Sequence, residues 1–506
     1  MKIIDDFLNS ITMYRLVLYY LTFLILIALG LSIFRILPFD YISFFLSVSL
    51  LVSICWVTNT VFAKVFKVPT NLESVYITAL ILALIISPMR SPQDIFFLGL
   101  AAVLAMSSKY ILAIGRKHIF NPAALAVFVT AIAFNNYASW WVGTFWMVPA
   151  VLLGGFLIVK KIKRFSLFFS FIFIALVFIL GINFFNGNDL LSAFQKAIFD
   201  TPLLFFGFVM LTEPLTSPPA KKLQIIYGAL VGFLFVPQIH IGAFYSTFEM
   251  ALLIGNIYAY IVSPKEKLLL KIKEKIQLAP DIYDFVFGLE KSFAFSPGQY
   301  MEWTLGHKNP DLRGNRRYFT IASSPLEGNL RIGVKFYPNS SSYKKSLLSL
   351  NPGDNNVIAG QLAGEFTLPK DPSKKLVFIA GGIGITPFRS MIKYLLERSE
   401  KRDIVLLYSN KIASDIVYKD IFDEAIQKLG LKTVYFLTDN TAIPLNWTGK
   451  HGFIDTKVIQ HEIPDFRNRI FYISGPHSMI DAFGKTLKNM GIASGQIKED
   501  FFPGYA

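Results

Sequence analysis

The feature that most constrains this chain is how unevenly its apolar residues are spread. Between residues 14 and 262 they come in long runs broken by short polar stretches. From residue 263 onward, charged and turn-forming residues return at ordinary globular density. A helix needs about 20 apolar residues to cross the hydrocarbon core of a bilayer. Ten such segments are expected, at roughly 14–36, 41–63, 73–88, 94–114, 119–134, 142–160, 165–185, 197–212, 223–238 and 244–263. At 506 residues, two or three domains are the default. The break in composition places a membrane domain over 1–264 and a water-facing remainder after it.

Loop charge tests that count, because Lys and Arg gather on the cytoplasmic side of membrane proteins. If residues 265–506 are cytoplasmic, only Arg35, Arg90 and Lys196 of the sixteen basic residues before Ser263 fall outside; the other thirteen fall inside. The loops 135–141 and 236–244, which carry no Lys or Arg, fall outside. The expectation is a multi-pass protein of the cytoplasmic (inner) membrane, in contact with lipid, with both termini cytoplasmic. The first apolar run is too long for a cleavable signal. Part of the net charge of +15 lies in the inner loops. No basic stripe with interleaved aromatics suggests a nucleic-acid partner.

Cofactor classes can be sorted by arithmetic. A single cysteine, Cys55, excludes disulfides, cysteine-ligated zinc and an iron–sulfur cluster held by the chain itself. Two b-haems would need four axial histidines, and only His118 and His240 precede Ser263, on opposite sides by the charge count. No haem and no metal site are therefore expected. His118 reads as a helix-start cap or a phosphate contact, and His240 as an interfacial side chain.

The third and eighth segments are short and end in proline, at 77–88 and 205–214. Matching short segments five apart suggest a 5+5 inverted repeat around a central site; equally, Pro88 and Pro214 could end ordinary helices. Glu73 and Glu213 read as interfacial. Glu249, a turn into the last segment, is the better candidate for an ion, proton or ligand contact.

The remainder divides again. Short β-type segments at 282–287, 299–304, 318–322, 330–336 and 356–360, punctuated by Gly, Pro and Asn, predict an antiparallel barrel over 265–372. Residues 265–273 read as a linker entering a first strand. From 373 to 506 strands alternate with helices: strands at 376–379, 404–408, 432–437 and 470–473, and helices at 386–398, 418–429 and 476–490. That is the pattern of an α/β doubly wound parallel sheet.

Specific strings extend this reading. Lys109-Tyr110-Ile111-Leu112, the stretch Gly115-Arg116-Lys117-His118-Ile119-Phe120-Asn121-Pro122-Ala123-Ala124, and Met210-Leu211-Thr212-Glu213-Pro214-Leu215-Thr216-Ser217-Pro218 resemble the NqrB/RnfD family over about 40–264. These are membrane subunits of sodium-pumping NADH:quinone oxidoreductase and of the Rnf complex. The resemblance implies a ten-helix inverted repeat related to urea channels, with a flavin inside the membrane. Asn121, Thr212 and Thr216 are its candidate contacts. Members often carry FMN esterified to a Thr in an S-G-A-T-like segment. The matching stretch here, 183–192, has no such motif, so the second flavin (FMN or riboflavin) is expected to be non-covalent.

A barrel followed by a doubly wound sheet resembles the ferredoxin–NADP reductase superfamily. Arg317-Tyr318-Phe319-Thr320-Ile321-Ala322-Ser323-Ser324 is similar to its FAD signature. The resemblance gives Arg317 to the FAD pyrophosphate, Phe319 to the isoalloxazine face and Thr320 to the ring nitrogen that receives hydride, with Tyr318 and Ser323 beside them. Lys335, Ser341 and Ser342 match the segment holding the diphosphate. Gly381, Gly382, Gly384, Thr386 and Pro387 form the turn for the NADH or NADPH pyrophosphate. Ser474, Gly475, Pro476 and Met479 form the nicotinamide turn, with Ser474 where the superfamily usually has Cys or a small residue. Phe502 stands for the terminal aromatic that shields the flavin. Thr320 and Ser474 are the candidate catalytic residues. NADH and NADPH are not distinguished, since 408–411 holds Lys411 and no acid.

The joint expectation is an NAD(P)H-oxidising membrane flavoprotein. Electrons would pass through FAD to a membrane flavin and on to quinone or an extracytoplasmic redox protein, with further subunits possible. The alternative is a transporter or ion pump on the urea-channel-like fold that responds to flavin redox state.

Overall fold

The computed structural model describes residues 4, 7, 8 and 11–500, apart from 67–71, 115–116, 243, 264–266, 309, 312–313, 355–356, 440 and 442. The chain divides into two compact units, Met1–Lys267 and Leu268–Ala506.

In the first unit, α1 (Met13–Ile33), α2 (Tyr41–Phe66), α3 (Leu72–Ile85) and α4 (Pro92–Ile111) lead to a small hairpin, β1 (Ala113–Ile114) and β2 (Lys117–His118), and then to α5 (Pro122–Phe134). The order then recurs. α6 (Val148–Ile162), α7 (Phe165–Phe185), α8 (Leu190–Phe199), α9 (Leu203–Phe205, continued by a π-helical turn at Phe206–Met210) and α10 (Lys221–Leu234) lead to β3 (His240–Ile241), β4 (Phe244–Tyr245) and α11 (Phe248–Val262). Setting α8 aside, the packing recurs as well. α2 lies on α4 as α7 lies on α10, α1 on α3 as α6 on α9, and α4 on α5 as α10 on α11. Across the two halves, α1 meets α6 and α5 meets α11.

All ten apolar segments are helical, but they are not ten full-length spans. Among the described residues, five helices are long and apolar enough to cross a membrane, or six if the pair Leu190–Phe199 and Leu203–Met210, bent by 57°, counts as one. α3 has 14 residues, α5 has 13 and α11 has 15. At 1.5 Å per residue these rise only about 20 Å against the roughly 30 Å of a hydrocarbon core. Their starts and stops explain the length. α3 stops just before Ser87-Pro88, and α5 and α11 begin only after their hairpins, where the Asn121 and Thr247 side chains accept from the amides of Ala124 and Met250. α8 was not expected, since 183–192 reads as a loop; the Asp189 side chain caps it by accepting from Ser192 N at 2.7 Å.

Small residues set the close helix packing, as is usual where lipid offers no hydrophobic drive between helices. A Cβ on Gly228 of α10 would lie 2.1 Å from Ser170 Oγ and 2.6 Å from the Leu167 carbonyl of α7; one on Gly232 would lie 2.6 Å from the Phe171 carbonyl.

In the second unit, β5 (Leu268–Ala279), β6 (Ile282–Gly288), β7 (Tyr300–Leu305), β8 (Arg316–Thr320), β9 (Asn329–Lys335) and β10 (Val357–Ala363) form an antiparallel sheet in the order β8-β7-β10-β5-β6-β9. Its edges approach where Ala322 N donates to the Arg331 carbonyl at 2.8 Å. Trp303, Phe285, Phe287 and Ile332 fill its core. The parallel sheet holds β11 (Leu376–Gly381), β12 (Ile404–Asn410), β13 (Lys432–Leu437), β14 (Lys450–His451), β15 (Ile470–Ser474) and β16 (Ile497–Glu499), in the order β14-β13-β12-β11-β15-β16. β11 is buried throughout, as a central parallel strand covered on both faces requires. The sequence did not announce β14, β16 or the helices Ser342–Leu348 and Thr456–Glu462. The chain works outward from β11 to β14 and then returns to lay β15 on β11's other side, so the strand order reverses between β11 and β15.

The helix contact yields a prediction. Gly228→Val should lower the thermal midpoint of detergent-solubilised protein through overpacking of about 1–3 kcal/mol. Gly181→Ala, at a position with no atom within 4 Å of the added Cβ, should leave it unchanged. A scanning fluorescence melt of both variants checks this.

Candidate functional sites

In an open α/β sheet the ligand crevice lies at the carboxyl ends of the strands where the order reverses. Here that is the end of β11 and β15, and both turns there are built of glycine. β11 runs into the turn Gly382–Ile385 and the helix Thr386–Glu397; β15 runs through Ser474, Gly475 and Pro476 into the helix His477–Asn489. The turns touch backbone to backbone, since a Cβ on Gly475 would lie 3.2 Å from Gly381 Cα. A Cβ on Gly384 would lie 2.5 Å from the Ser474 carbonyl, and one on Gly381 would lie 2.3 Å from Met479 Sδ. Gly382 adopts φ +54°, a left-handed value that favours glycine. Thr386 closes the first turn by donating to the Ile383 carbonyl at 3.2 Å, with Pro387 in the first helical turn. Two helix starts thus meet at one edge of the sheet, with the Met479 and Pro476 side chains packed against Gly381.

The two candidate catalytic residues converge on a third that sequence reasoning missed. Ser474 Oγ donates to Asp500 Oδ2 at 2.9 Å, and Thr320 Oγ1 lies 3.4 Å from the same oxygen. Asp500 is held by its own amide, which donates to the Ile473 carbonyl at 2.9 Å. Its other carboxylate oxygen is buried and has no hydrogen-bond partner among the described residues. Burial pushes this carboxyl up to about 7, against the opposing pull of the Ser474 and Thr320 hydroxyls. The available signal was an acid at the head of an aromatic terminal segment, where the rings are the more conspicuous feature.

The remaining expected flavin residues are distributed as follows. Arg317 is buried, with its guanidinium 4.9 Å over the Tyr343 ring and donating to the Arg316 carbonyl at 2.6 Å. Tyr318 donates to Glu302 at 2.9 Å, and Phe319 sits in the barrel core with its ring 6.2 Å from that of Tyr343. Ser323 Oγ accepts from Arg331 N at 3.2 Å. Lys335 pairs with Asp415 at 2.9 Å and with Asp281 at 3.6 Å, so the charge assigned to a diphosphate is engaged by two carboxylates. Ser341 caps the helix Ser342–Leu348, and Ser342 Oγ accepts from Asp311 N at 2.9 Å. Phe502 lies outside the described residues.

In the first unit Asn121 and Thr216 do come together, on a residue whose sequence position looks merely interfacial. Glu213 accepts from Asn121 Nδ2 at 2.9 Å and from Thr216 Oγ1 at 3.0 Å, and His118 Nε2 lies 3.4 Å away. Asn256 links the group further, accepting from Asn121 N at 2.8 Å and donating to the Thr216 carbonyl at 3.1 Å. His118 therefore neither caps a helix nor stands alone. Thr212 is not part of the group; its hydroxyl donates to the Phe208 carbonyl in the helical turn just before it. A second polar junction joins Glu249 to Trp140, whose indole N–H donates at 2.7 Å. Trp140 holds a left-handed φ of +49°, and its amide donates to the carbonyl of Ile85, the last residue of α3. Trp140, Phe206, Phe171, Phe235 and Phe248 form one connected set of ring contacts, with centroids 4.5–5.9 Å apart.

These features define a polytopic helical membrane body joined to a barrel-plus-doubly-wound unit with a nucleotide-type crevice. Residues 142–265 match the family described as NQR2, RnfD, RnfE, and residues 378–485 match the oxidoreductase NAD-binding domain. The first match is narrower than the expected 40–264 and omits the Asn121-Pro122-Ala123-Ala124 string. The chain is 24% identical over 237 residues to the reductase component of the glycine betaine monooxygenase of Pseudomonas aeruginosa, a match covering 46% of this chain and 64% of that protein. It is 32% identical over 235 residues to one component of the Na(+)-translocating NADH-quinone reductase of Neisseria gonorrhoeae, covering 43% and 56%. The match thus spans less than two thirds of either relative. A crystal structure of Amycolatopsis cytochrome P450 reductase aligns with TM-score 0.42 and 25% identity, over 47% of this chain and 70% of that one.

Asp500 generates a pH prediction. A carboxyl whose folded value exceeds its unfolded one costs the fold nothing while both states are protonated. The cost grows from about pH 4 to about pH 7 and is constant above, up to roughly 4 kcal/mol. Asp500→Asn should therefore raise the melting temperature at pH 8 and give no gain at pH 3.5, as read by thermal melts at the two pH values.

Proposed function

We propose that this chain oxidises cytoplasmic NAD(P)H through FAD in its C-terminal unit and passes the electrons into its membrane unit, to a second, non-covalently held flavin and on to quinone or an extracytoplasmic redox protein. The observation that carries the reading is the meeting of Thr320 and Ser474 on Asp500. The strand expected to carry the flavin signature and the turn expected to meet the nicotinamide share one buried carboxyl, which supports the reading. The match of residues 378–485 to an NAD-binding oxidoreductase domain supports the donor. The match of 142–265 to the NQR2, RnfD, RnfE family supports a membrane acceptor. The similarity to a component of an NADH-quinone reductase suggests that functions borne by separate chains elsewhere are joined here, with further subunits and quinone as partners.

The chain's own residues then have definite tasks. Gly381, Gly384 and Gly475 let the two turns pack closely, so that a diphosphate bound there meets two helix starts at once. Ser474 holds the Asp500 carboxyl beside the site and is small enough to leave room for a nicotinamide ring. Above about pH 7 Asp500 is a carboxylate, which favours the positive charge that a dihydronicotinamide acquires as it gives up hydride. Thr320 presents its hydroxyl to the same carboxyl and orders the end of β8. Bound FAD supplies the conversion of a two-electron donor into single electrons.

Residue sorting supports the grouping of segments into two sides that loop charge gives. Segments that loop charge assigns to the inner side contact each other: His118 and Glu213, Arg164 and Ser217, Lys161 and the Leu8 carbonyl. Those assigned to the outer side also meet, as in Trp140 with Glu249 and Met89 N with Ser47. The recurring helix order supports an inverted repeat, because five segments per half would leave the halves oppositely oriented. The aromatic set filling the second half favours an electron path over a solute path.

Cofactor extraction from detergent-purified protein tests this. The proposal expects one FAD and one further extractable flavin per chain, with no flavin retained after denaturation. FAD alone would remove the internal relay.

A further inference from the structure

We propose that Arg389 is a positioning residue: with Glu327 it forms a buried latch that sets the distance between the dinucleotide turn and the flavin-signature strand. The inference rests on the function proposed above, in which those two elements carry donor and acceptor.

Arg389 lies in the helix Thr386–Glu397, directly after the glycine turn, and is 2% exposed. Its guanidinium grips the barrel three times. Nη1 donates to Glu327 Oε2 at 2.6 Å and to the Ala322 carbonyl at 2.7 Å, and Nη2 donates to Glu327 Oε1 at 2.9 Å. The Tyr418 ring lies 5.4 Å from the guanidinium carbon. Ala322 is two residues beyond Thr320. The next residue repeats the grip, Ser390 Oγ donating to the Ser323 carbonyl at 2.6 Å. Burial alone would raise the Glu327 carboxyl, yet the Arg389 fork holds it below the ordinary range, so the pair is ionised. Charge-assisted, two-pronged bonds of this kind fix direction as well as distance.

Removal of a charge from water costs free energy that the pair has to recover, and an apolar contact would join two domains more simply. What the pair adds is register. A second contact on the same seam leaves no slack: a Cβ on Gly333 of β9 would lie 2.6 Å from the Tyr418 hydroxyl and 2.9 Å from Thr386 Cγ2. The helix after the turn and the antiparallel sheet are thus locked at two points, one just beyond the flavin-signature strand and one on β9, neither of which is at the Thr320–Ser474–Asp500 meeting. Hydride transfer is sensitive to sub-ångström changes of approach, with losses on the order of a hundredfold for about 1 Å.

The test uses the full detergent-purified chain with FAD, in rapid-mixing measurements with NADH and NADPH across concentrations. Wild-type FAD reduction comes first; its absence would defeat the proposed function itself, which separates that failure from a failure of the latch. Given that reduction, Arg389→Lys, which keeps the charge and loses the fork, should retain FAD and the concentration dependence on the nucleotide. Its limiting rate per bound FAD should fall roughly tenfold or more. Gly333→Ala should do the same from the other contact. An unchanged limiting rate per bound FAD in both variants overturns the proposal. So does loss of FAD from both, because the pair would then be holding the fold and not the approach.

Discussion

The contact on which the C-terminal unit depends is the one between two glycine turns. Gly381 and Gly475 lie backbone to backbone where β11 and β15 end, at the only place in the parallel sheet where the strand order reverses among the described strands. A Cβ on the neighbouring Gly384 would strike the Ser474 carbonyl and the Gly475 backbone, so the sequence must supply glycine there. Ser474, Thr320 and Asp500 are arranged around that edge. Ser474 ends one strand, Thr320 ends β8 of the other sheet, and Asp500 follows β16. Three residues from three distant parts of the chain share one carboxylate because three strand ends converge.

The membrane unit obeys a different constraint. Lipid cannot satisfy a free backbone carbonyl or an unpaired carboxylate, so a helix that ends part-way needs partners of its own. α3 ends against the loop that precedes α6: Trp140 N and Val142 N donate to the carbonyls of Ile85 and Leu84. α9 ends near the start of α5, where Asn121 both caps that helix and donates to Glu213. Each short third helix is therefore met by material from the opposite half, and each junction carries one carboxylate, Glu249 or Glu213. The two halves are tied at the ends of their short third helices.

How much of this the sequence disclosed depended on whether the cause was local. The strands at 282–288, 432–437 and 470–474 and the helices at 386–397 and 419–429 were legible because alternation, helical periodicity and turn residues are short-range. The glycine turn after β11 was legible because its composition follows from its contact. The role of Asp500 was not, since its meaning comes from Thr320, which is 180 residues earlier. Glu213 looked interfacial for the same reason: His118 and Asn121 become its neighbours only after α4 and α5 pack. Ten apolar runs were legible but their helix lengths were not, because hydropathy registers apolar runs and misses the hairpins and prolines that shorten α3, α5 and α11. Phe319 and Lys335 matched the expected string, but the string could not reveal their engagement with Tyr343 and Asp415.

The most direct test of the central claim is electron transfer across a bilayer by the purified chain in sealed liposomes. NADH is added outside and ferricyanide is trapped inside, without a permeant carrier. The account predicts that NADH oxidation by outward-facing reductase units reduces the trapped ferricyanide, and that Ser474→Trp, which fills the turn proposed to meet the nicotinamide, abolishes it. If NADH reduces the FAD while the trapped ferricyanide stays oxidised, and added quinone is not reduced either, the membrane unit is not an electron path and the account fails.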